Sequence, residues 1–316
     1  MDAPSRPAAR VARCRLVLHG KHAADAALRA LVGRVRAGGV DASVRVTWEA
    51  GDAARFAIEA AEEGLPLVLA GGGDGTLNEV AGALAALQRD ADALPALGVL
   101  PLGTANDFAT SAAIPADPAA ALDLALQAAP RPVDAVRVHA GDVERWFLNV
   151  ATGGFGTEAT VETPDELKRT LGRLAYLLTG LARFGALKSA RGRFRGKGFA
   201  WEGEFLVLAL GNGRSAGGGH ALCPDALLDD GLLDVAILPA PEQNLLGEVL
   251  GTLFREGRAG LEENAIRVRV PELELQADEG LALNLDGEPL EGSRFRIAVV
   301  PRRLRMVLPR ECGLLS

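Results

Sequence analysis

Short apolar runs alternate with amphipathic stretches from the start of the chain to Pro130, and this alternation constrains the fold more than any other feature. Each apolar run has the length of a buried strand, and each intervening stretch has apolar residues at helical spacing. Such alternation predicts a mostly parallel α/β sheet with crossover connections. The predicted strands are Cys14–His19, Val44–Trp48, Leu65–Ala70 and Leu97–Leu100, and the predicted helices are Ala24–Ala37, Asp52–Glu63 with Asp52 as its cap, and Leu77–Leu87.

The pattern changes after Pro130 and Pro132, which suit a linker. Beyond them strand-like runs dominate, and two helical stretches, 164–184 and 241–256, each begin near a proline. A chain of 316 residues is long for one core, so we predict an α/β domain at 1–132 and a β-rich domain at 133–316. The predicted strands of the second domain are Ala135–Val138, Trp146–Ala151, Phe205–Leu210, Leu232–Leu238, Ile266–Val270, Leu281–Leu285 and Arg294–Val299.

Charge and cysteine content exclude several classes of protein. The net charge of −7 argues against a nucleic-acid-binding protein, which is usually basic. Three dispersed cysteines, Cys14, Cys223 and Cys312, form no CxxC pair, so neither a disulfide framework nor a zinc site is expected. The apolar runs are too short to span a bilayer, and the N-terminus has no apolar signal segment. These features predict a cytoplasmic protein that does not cross a membrane.

A glycine-rich loop, Gly71–Thr76, joins the predicted strand Leu65–Ala70 to the next predicted helix. Glycines leave N–H groups bare, let phosphates approach closely and direct a helix N-terminus toward anionic charge. The loop is not a Walker A sequence, because no Gly-Lys-Ser/Thr follows it. Asp74 would shape the loop or meet a metal ion, and Thr76 would cap the helix or donate to a phosphate oxygen. The alternative is a tight strand-to-helix turn without a ligand.

A second loop, Pro101–Phe108, follows the next predicted strand. Loops at the carboxyl ends of neighbouring strands form the ligand crevice of an open α/β sheet, so we expect the two loops to converge. Asn106 and Asp107 fit either a helix cap or a metal site. In a phosphoryl transfer, Asp107, together with Asp74, would supply oxygen ligands for Mg²⁺.

These loops together resemble the catalytic domain of the diacylglycerol kinases, which is shared by bacterial lipid kinases, sphingosine kinases and ceramide kinases. The chain is most similar to the bacterial YegS-like lipid kinases. The resemblance implies a nucleotide-binding α/β domain like those of NAD kinases and phosphofructokinases, joined to a β-rich, sandwich-like domain. Further segments of the resemblance, spread over nearly the whole chain, are Val46–Glu49, Asn149–Gly156, Gly211–Arg214, Leu222–Pro224, Asp230–Leu233 and Asn284–Pro289.

The resemblance also implies roles for individual residues. Glu288, in an Asp-Gly-Glu-Pro sequence, would be the proton acceptor that deprotonates a lipid hydroxyl. Asp230 would bind Mg²⁺ with the backbone carbonyls of Leu227 and Leu232, and other divalent cations such as Ca²⁺ would also fit this ligand set. The implied ATP-binding residues are Thr47, Gly73, Asp74, Gly75, Thr76, Leu77, Asn78, Glu79 and Thr104.

Residue chemistry alone leaves alternatives for two of these roles. Asp286 and Gly287 also suit an ordinary hairpin turn, which would leave Glu288 merely exposed. A group of carboxylates such as Asp230 and Asp234 is usually a solvated turn, and a structural cation is the less common case.

The loop after the first strand departs from the family pattern. It reads His19-Gly20-Lys21-His22 where many relatives have Asn-Pro-x-Ser-Gly, so a phosphate contact by Lys21 is chemically reasonable but is not implied. His19 and His22 would need two further, remote ligands to hold a metal, and such loop histidines are usually solvated.

A basic stretch at 168–197 suits an enzyme whose acceptor lies in a bilayer. Its lysines and arginines flank apolar residues at helical spacing, and basic amphipathic segments of this kind bind anionic membrane surfaces. The alternative is a core-facing helix followed by a charged, solvent-exposed hairpin.

The sequence therefore predicts an ATP-dependent lipid kinase that uses Mg²⁺, resides in the cytoplasm and contacts the inner face of the membrane transiently. A kinase for a soluble acceptor such as NAD, and a non-catalytic nucleotide or lipid sensor, are the alternatives. Diacylglycerol and phosphatidylglycerol both offer a free hydroxyl, so the sequence does not name the lipid, and it leaves the oligomeric state open.

Overall fold

A computed structural model of the chain describes residues 11–154, 189–240 and 265–316. The helices predicted at 164–184 and 241–256 lie outside these residues. The described chain forms two compact units, of which one contains the residues up to Val133 together with Arg302–Ser316, and the other contains those of Asp134–Pro301. The second unit is thus an insertion into the first, whereas the sequence pattern assigned everything after residue 132 to one domain.

The first unit is built on a parallel sheet with the strand order β4-β3-β1-β2. Every residue of β3 and β4 is buried, as expected for strands covered on both faces. The parallel α/β sheet predicted from the alternation is confirmed. Its strands are β1 (Arg13–Leu18), β2 (Asp41–Val46), β3 (Leu67–Gly72) and β4 (Ala96–Pro101).

Helices connect these strands, and two of them begin at aspartate caps. Asp25 accepts hydrogen bonds from first-turn N–H groups of α1, and Asp117 does the same for α5. Both α4 and α5 were missed in the sequence, since α4 has only five residues and α5 is rich in alanine. The helices are α1 (Ala26–Ala37), α2 (Asp52–Glu62), α3 (Asp74–Ala86), α4 (Asp107–Ser111) and α5 (Pro118–Gln127).

The prediction that Asp52 caps α2 is wrong. The N-cap is Gly51, which has a left-handed backbone with φ of 88°. The Asp52 carboxylate instead accepts hydrogen bonds from the N–H groups of Trp48, at 2.7 Å, and Glu49, at 3.2 Å. The carboxylate therefore closes the turn that precedes the helix.

The end of the chain completes the first unit. The last strand, β15 (Glu288–Met306), ends beside β4, with Met306 paired in parallel to Leu97. Two arginines near this end hold the last turn of α3 and the segment that follows it, because their side chains donate to backbone carbonyls there. Arg303 donates to Ala85, Leu87 and Arg89, and Arg305 donates to Ala91, Asp92 and Leu94.

The second unit consists of antiparallel strands around an aromatic core. Phe194 and Phe205 meet edge to face there, with ring centroids 5.3 Å apart. The β-rich character predicted for this part of the chain is confirmed. Besides β15, the strands are β5 (Arg131–Ala140), β6 (Val143–Phe147), β7 (Val150–Gly154), β8 (Ala190–Gly196), β9 (Phe199–Gly211), β10 (Ser215–Ala216), β11 (His220–Ala221), β12 (Leu233–Pro239), β13 (Ile266–Val270) and β14 (Glu272–Leu285).

Candidate active site

Two glycine-bearing loops lie side by side at the carboxyl ends of β3 and β4. A Cβ atom at Gly103 would lie 2.5 Å from the Cα atom of Gly73, so there is no room for a side chain at Gly103. Gly73 is the N-cap of α3, and because it has no side chain, it leaves the first-turn N–H groups of this thirteen-residue helix open to a ligand. Bare N–H groups at a helix N-terminus form a site for anions. The loops therefore converge as the sequence predicted, in a geometry that suits phosphate.

Asp74, the first residue of α3, joins the two loops through its carboxylate. Its oxygens accept hydrogen bonds from the backbone N–H groups of Asp107, at 3.0 Å, and Phe108, at 3.1 Å. Burial raises the pKa of the Asp74 carboxyl and the nearby charge of Asp107 adds to the rise, whereas the two N–H donors oppose it. A divalent cation would offset the repulsion that Asp107 adds at the Asp74 carboxylate, so Mg²⁺ accompanying a phosphate chain stays the prediction for this pair.

The residues that follow Asp74 differ in exposure. Gly75 is exposed at the loop, whereas Thr76, Leu77 and Asn78 are buried on α3. The Thr76 side chain packs against Gly72, where a Cβ atom would lie 2.3 Å from Oγ1 of Thr76. Gly75 is thus accessible to a ligand, and the three buried residues support the loop from within the unit.

Glu79 and the two predicted threonines lie at different places in the first unit. Glu79 accepts a hydrogen bond from the N–H group of Ala54, at 3.3 Å, and so satisfies a first-turn donor that the glycine cap of α2 cannot. Thr47, directly after β2, accepts through Oγ1 from the N–H group of Gly20, at 3.1 Å. Thr104 is exposed in the loop after β4. The threonines lie at the sheet edge that carries the glycine loops, whereas Glu79 is directed toward α2.

Replacing Asp74 by alanine should weaken binding of ATP by at least about tenfold, because two N–H groups lose a charged acceptor that holds the loops together. Titration of the purified variant with ATP measures this loss. Asp117→Ala is the matched control, since it removes a carboxylate that accepts from Ala120 at 2.9 Å in the same unit. The control should lower the melting temperature without changing ATP affinity, and equal ATP affinity in both variants would contradict the role of Asp74.

The second unit contains the predicted base, Glu288, at the turn between β14 and β15. Glu288 is exposed, and the turn before it is formed by Asp286 and Gly287, whose φ angles are 50° and 109°. The hairpin interpretation of this turn is therefore correct as a description of the backbone. Asn284 accepts a hydrogen bond from the N–H group of Gly287 at 2.7 Å, which closes the turn.

The Asp286 carboxylate anchors this turn to the segment between β6 and β7. One oxygen accepts from the N–H groups of Leu148 and Asn149, each at 2.9 Å, and the other accepts from Val150 at 2.7 Å. These contacts also interrupt the strand predicted at Trp146–Ala151, which is divided between β6 and β7. The turn that carries Glu288 is thus held by three backbone donors on one carboxylate.

Two asparagines extend this anchor. Asn212 is completely buried and donates through Nδ2 to the carbonyl oxygens of Leu148, at 2.7 Å, and Asp134, at 3.2 Å. The carbonyl oxygen of Asn149 accepts from the N–H groups of Asn212, at 2.9 Å, and Gly213, at 2.7 Å. The segments Asn149–Gly156 and Gly211–Arg214 belong to the family resemblance, but the sequence alone assigned them no role. Their asparagines next to glycines were the signal that could have indicated a shared part in anchoring this turn.

The predicted Mg²⁺ site consists of Leu227, Asp230 and Leu232, and its one carboxylate, Asp230, has protein partners. One oxygen of Asp230 accepts from the N–H group of Leu232 at 2.9 Å, and the other contacts the guanidinium of Arg269. Arg269 also donates through Nε to Asp234 at 3.1 Å. Arg269 therefore supplies positive charge to both carboxylates, and Mg²⁺ binding at Asp230 stays a prediction.

Replacing Arg269 by glutamine should make the melting temperature depend on Mg²⁺, because the change leaves Asp230 and Asp234 without their cation and a metal bound only by the folded state stabilises it. The parent protein should melt at the same temperature in Mg²⁺ and in chelator. Thermal denaturation of both proteins in each condition measures this. A parent melting temperature that rises with Mg²⁺, and no longer rises in Asp230→Asn, would instead support the site implied by the resemblance.

Part of the basic stretch lies within the described residues. Arg191 and Arg193 are on the β8–β9 hairpin, and both contact Asp278, at 3.5 and 3.2 Å. Arg191 also lies 3.9 Å from Glu202. These pairs agree with a charged, solvent-exposed hairpin, which was the alternative to a membrane-binding segment; residues 168–188 lie outside the described residues.

Two family models match the chain. The diacylglycerol kinase catalytic domain matches residues 15–138, and the YegS C-terminal NAD kinase beta sandwich-like domain matches residues 151–308. Together they confirm the predicted fold class, an α/β domain of the diacylglycerol kinase catalytic type followed by a β-rich domain like the NAD kinase sandwich.

Curated relatives match over nearly their whole length. A protein of Xanthomonas oryzae named probable lipid kinase YegS-like is 55% identical over 306 residues, which cover 96% of this chain and 98% of that protein. The protein of the same name from Pseudomonas aeruginosa is 54% identical over 300 residues, 95% of each chain. The crystal structure of a candidate diacylglycerol kinase from Bacillus anthracis superposes with a TM-score of 0.80 at 23% identity, covering 99% of this chain and 100% of that one, so it supports the fold.

Proposed function

Because the chain belongs to the YegS-like lipid kinase family, which has a diacylglycerol kinase catalytic domain, we propose that it transfers the γ-phosphate of ATP to the hydroxyl of a membrane lipid such as diacylglycerol or phosphatidylglycerol. The observation that carries the proposal is that one chain combines a glycine-built phosphate loop with a rigidly anchored glutamate turn. Phosphoryl transfer needs little more from a protein than a phosphate site, charge neutralisation and a base.

The phosphate chain of ATP would lie against the N-terminus of α3. First-turn N–H groups behind Gly73 and Gly75 would donate to its oxygens, and the helix dipole would favour their negative charge. Mg²⁺ bound with ATP would neutralise phosphate charge, with Asp107 and Asp74 as the candidate protein ligands. Asp74 would also hold the two loops at a fixed separation, because it accepts both N–H bonds from the start of α4.

Glu288 would act as the general base. Its carboxylate would take the proton of the lipid hydroxyl as the hydroxyl oxygen forms its bond to the γ-phosphorus and the bond to ADP breaks. Exposure of Glu288 leaves it accessible to a lipid head, and the anchored turn limits the directions in which it can point. Asp107 is the second candidate for the base, since its N–H group donates to Asp74 beside the phosphate loop.

The acceptor would reach the protein from a membrane surface, and we propose transient peripheral contact with the inner face of the bilayer. Among the described residues, no helix is both long and apolar enough to span a bilayer. The lysines and arginines of residues 168–197 are the candidates for this contact, although Arg191 and Arg193 have acidic neighbours on their hairpin.

The test is phosphate transfer from labelled ATP to lipid in mixed micelles. Purified protein is incubated with diacylglycerol, with phosphatidylglycerol or with NAD, and labelled product is separated from ATP. Labelled lipid supports the proposal and identifies the acceptor. Labelled NAD product would support the kinase for a soluble acceptor, a reaction that the NAD kinase-like second domain makes worth testing. Nucleotide binding without transfer to any acceptor would support the sensor.

A further inference from the structure

Trp48 is the most exposed large apolar side chain of the described residues, with 95% of its surface accessible. Its neighbour Val46, on the last position of β2, is also exposed, at 41%. The other two tryptophans, Trp146 and Trp201, have partners: the first donates through Nε1 to Glu144 and the second packs on Phe194. Tryptophan side chains are highly buried on average in folded proteins. An indole that is this open to water is therefore a candidate surface for a ligand.

The main chain that carries Trp48 is fixed before any ligand arrives. The N–H group of Thr47 donates to the carbonyl oxygen of Leu18 at 2.9 Å, and that of Trp48 donates to Asp52 at 2.7 Å. Asp52 is in turn held by Arg55 at 2.6 Å. The backbone that carries the exposed indole is therefore rigid. Less conformational entropy of this turn is lost when a ligand stacks on the indole.

Trp48 lies on the same sheet edge as the phosphate loop. In the order β4-β3-β1-β2, the carboxyl end of β2 is two strand spacings, roughly 10 Å, from that of β3. Hydrogen bonds join the intervening loops: the N–H group of His19 donates to the carbonyl oxygen of Gly71 at 2.8 Å, and that of Gly20 donates to Thr47 at 3.1 Å. A continuous, hydrogen-bonded edge thus runs from the glycine loop to Trp48.

We propose that Trp48, with Val46 beside it, forms the adenine subsite, on which the base of ATP stacks while the phosphates occupy the glycine loop. The inference rests on the proposed use of ATP and adds the residue that recognises the base. Position favours this occupant over a bilayer. Trp48 lies on the sheet edge that carries the glycine loop, about two strand spacings away, so one nucleotide can reach both.

Binding of ADP and of tripolyphosphate by Trp48→Ala and Trp48→Phe tests the proposal. Tripolyphosphate has the phosphate chain but no base, so the alanine variant should bind it as the parent does. Its affinity for ADP should fall by roughly ten- to hundredfold, the range of base–aromatic stacking. Trp48→Phe, which keeps an aromatic face, should retain most of the ADP affinity. Val143→Ala, which trims the third exposed apolar residue, should change neither ligand.

Tryptophan fluorescence gives a readout that is independent of activity. ADP should quench the emission of the parent and leave that of Trp48→Phe unchanged, because that variant lacks the indole on which the base would stack. Equal ADP affinity in parent and Trp48→Ala would overturn the proposal, and so would an equal loss of ADP and tripolyphosphate. A blue shift with phosphatidylglycerol vesicles and no quenching by ADP would overturn it in favour of a membrane anchor.

The proposed function and this inference can fail separately. If ADP binding depends on Trp48 but no lipid is phosphorylated, the adenine subsite is supported and the proposal of a lipid acceptor is wrong. If lipid is phosphorylated and the KM for ATP is the same in Trp48→Ala and the parent, only the proposal of the adenine subsite is wrong.

Discussion

Replacing Glu288 by glutamine should lower kcat for lipid phosphorylation by about 10²–10⁴-fold, the usual contribution of a general base. Glutamine keeps the size of the side chain but cannot take a proton from the acceptor hydroxyl. ATP affinity should be retained, because the phosphate loops belong to the first unit and Glu288 belongs to the second. The measurement is steady-state lipid phosphorylation beside direct titration with ATP.

Glu291→Gln is the matched control for this variant. Glu291 lies three positions further along β15, is exposed like Glu288, and pairs across the hairpin with Ala282. Its loss should leave kcat unchanged, so a shared decrease would point to a general charge effect. A near-parental kcat for Glu288→Gln would transfer the role of base to Asp107, and lost ATP affinity would make Glu288 a structural residue.

Replacing Asp286 by alanine should both destabilise the second unit and lower kcat. Three backbone N–H groups would lose one charged acceptor, and each such hydrogen bond contributes about 1.5–3 kcal/mol. Alanine also tolerates the left-handed backbone at this position, where φ is 50°, less well than aspartate does, by about 1 kcal/mol. We expect the free energy of unfolding to fall by at least about 3 kcal/mol, measured by denaturant titration.

Asp286→Asn separates anchoring from folding. Asparagine tolerates the same backbone and keeps one acceptor oxygen, so this variant should fold with an intermediate loss of stability. Its kcat should still fall while the KM for ATP stays the same, because the turn no longer holds Glu288 in one direction. Asp278→Ala is the control, since this surface carboxylate on β14 contacts only arginines in the pairs described, and its loss should change stability by less than about 1 kcal/mol. A parental kcat in folded Asp286→Asn would show that the anchor has no part in catalysis.

The sequence predicted the features that depend on neighbouring residues. Buried runs such as Leu67–Gly72 are read from their own composition, and the glycine loop after that strand is recognisable because strand, loop and helix follow one another directly. The third helix after the loop, α5, was missed although Asp117 and Pro118 are a usual start signal, because its alanine-rich sequence shows no distinct polar face.

Contacts between distant residues were beyond prediction from local patterns. Asp286 and the N–H groups of Leu148–Val150 are separated by more than a hundred positions. The local sequence of neither segment indicates that the two form hydrogen bonds. The same holds for Arg269, whose guanidinium contacts Asp230 from a strand about forty positions away. A charged side chain at a β-strand position is compatible with many partners, and only the fold selects one.

The insertion of the second unit into the first has a consequence for how the protein is made. A chain emerges from the ribosome with its N-terminus first, and domains generally fold as they emerge. Here β4 pairs with β3 on one side but must wait for Met306 on the other, and the carbonyls after α3 must wait for Arg303 and Arg305. The inserted unit is synthesised completely before then, so the nucleotide-binding unit should reach its final form last, and a nascent chain stalled before Arg302 should not yet bind ATP with full affinity.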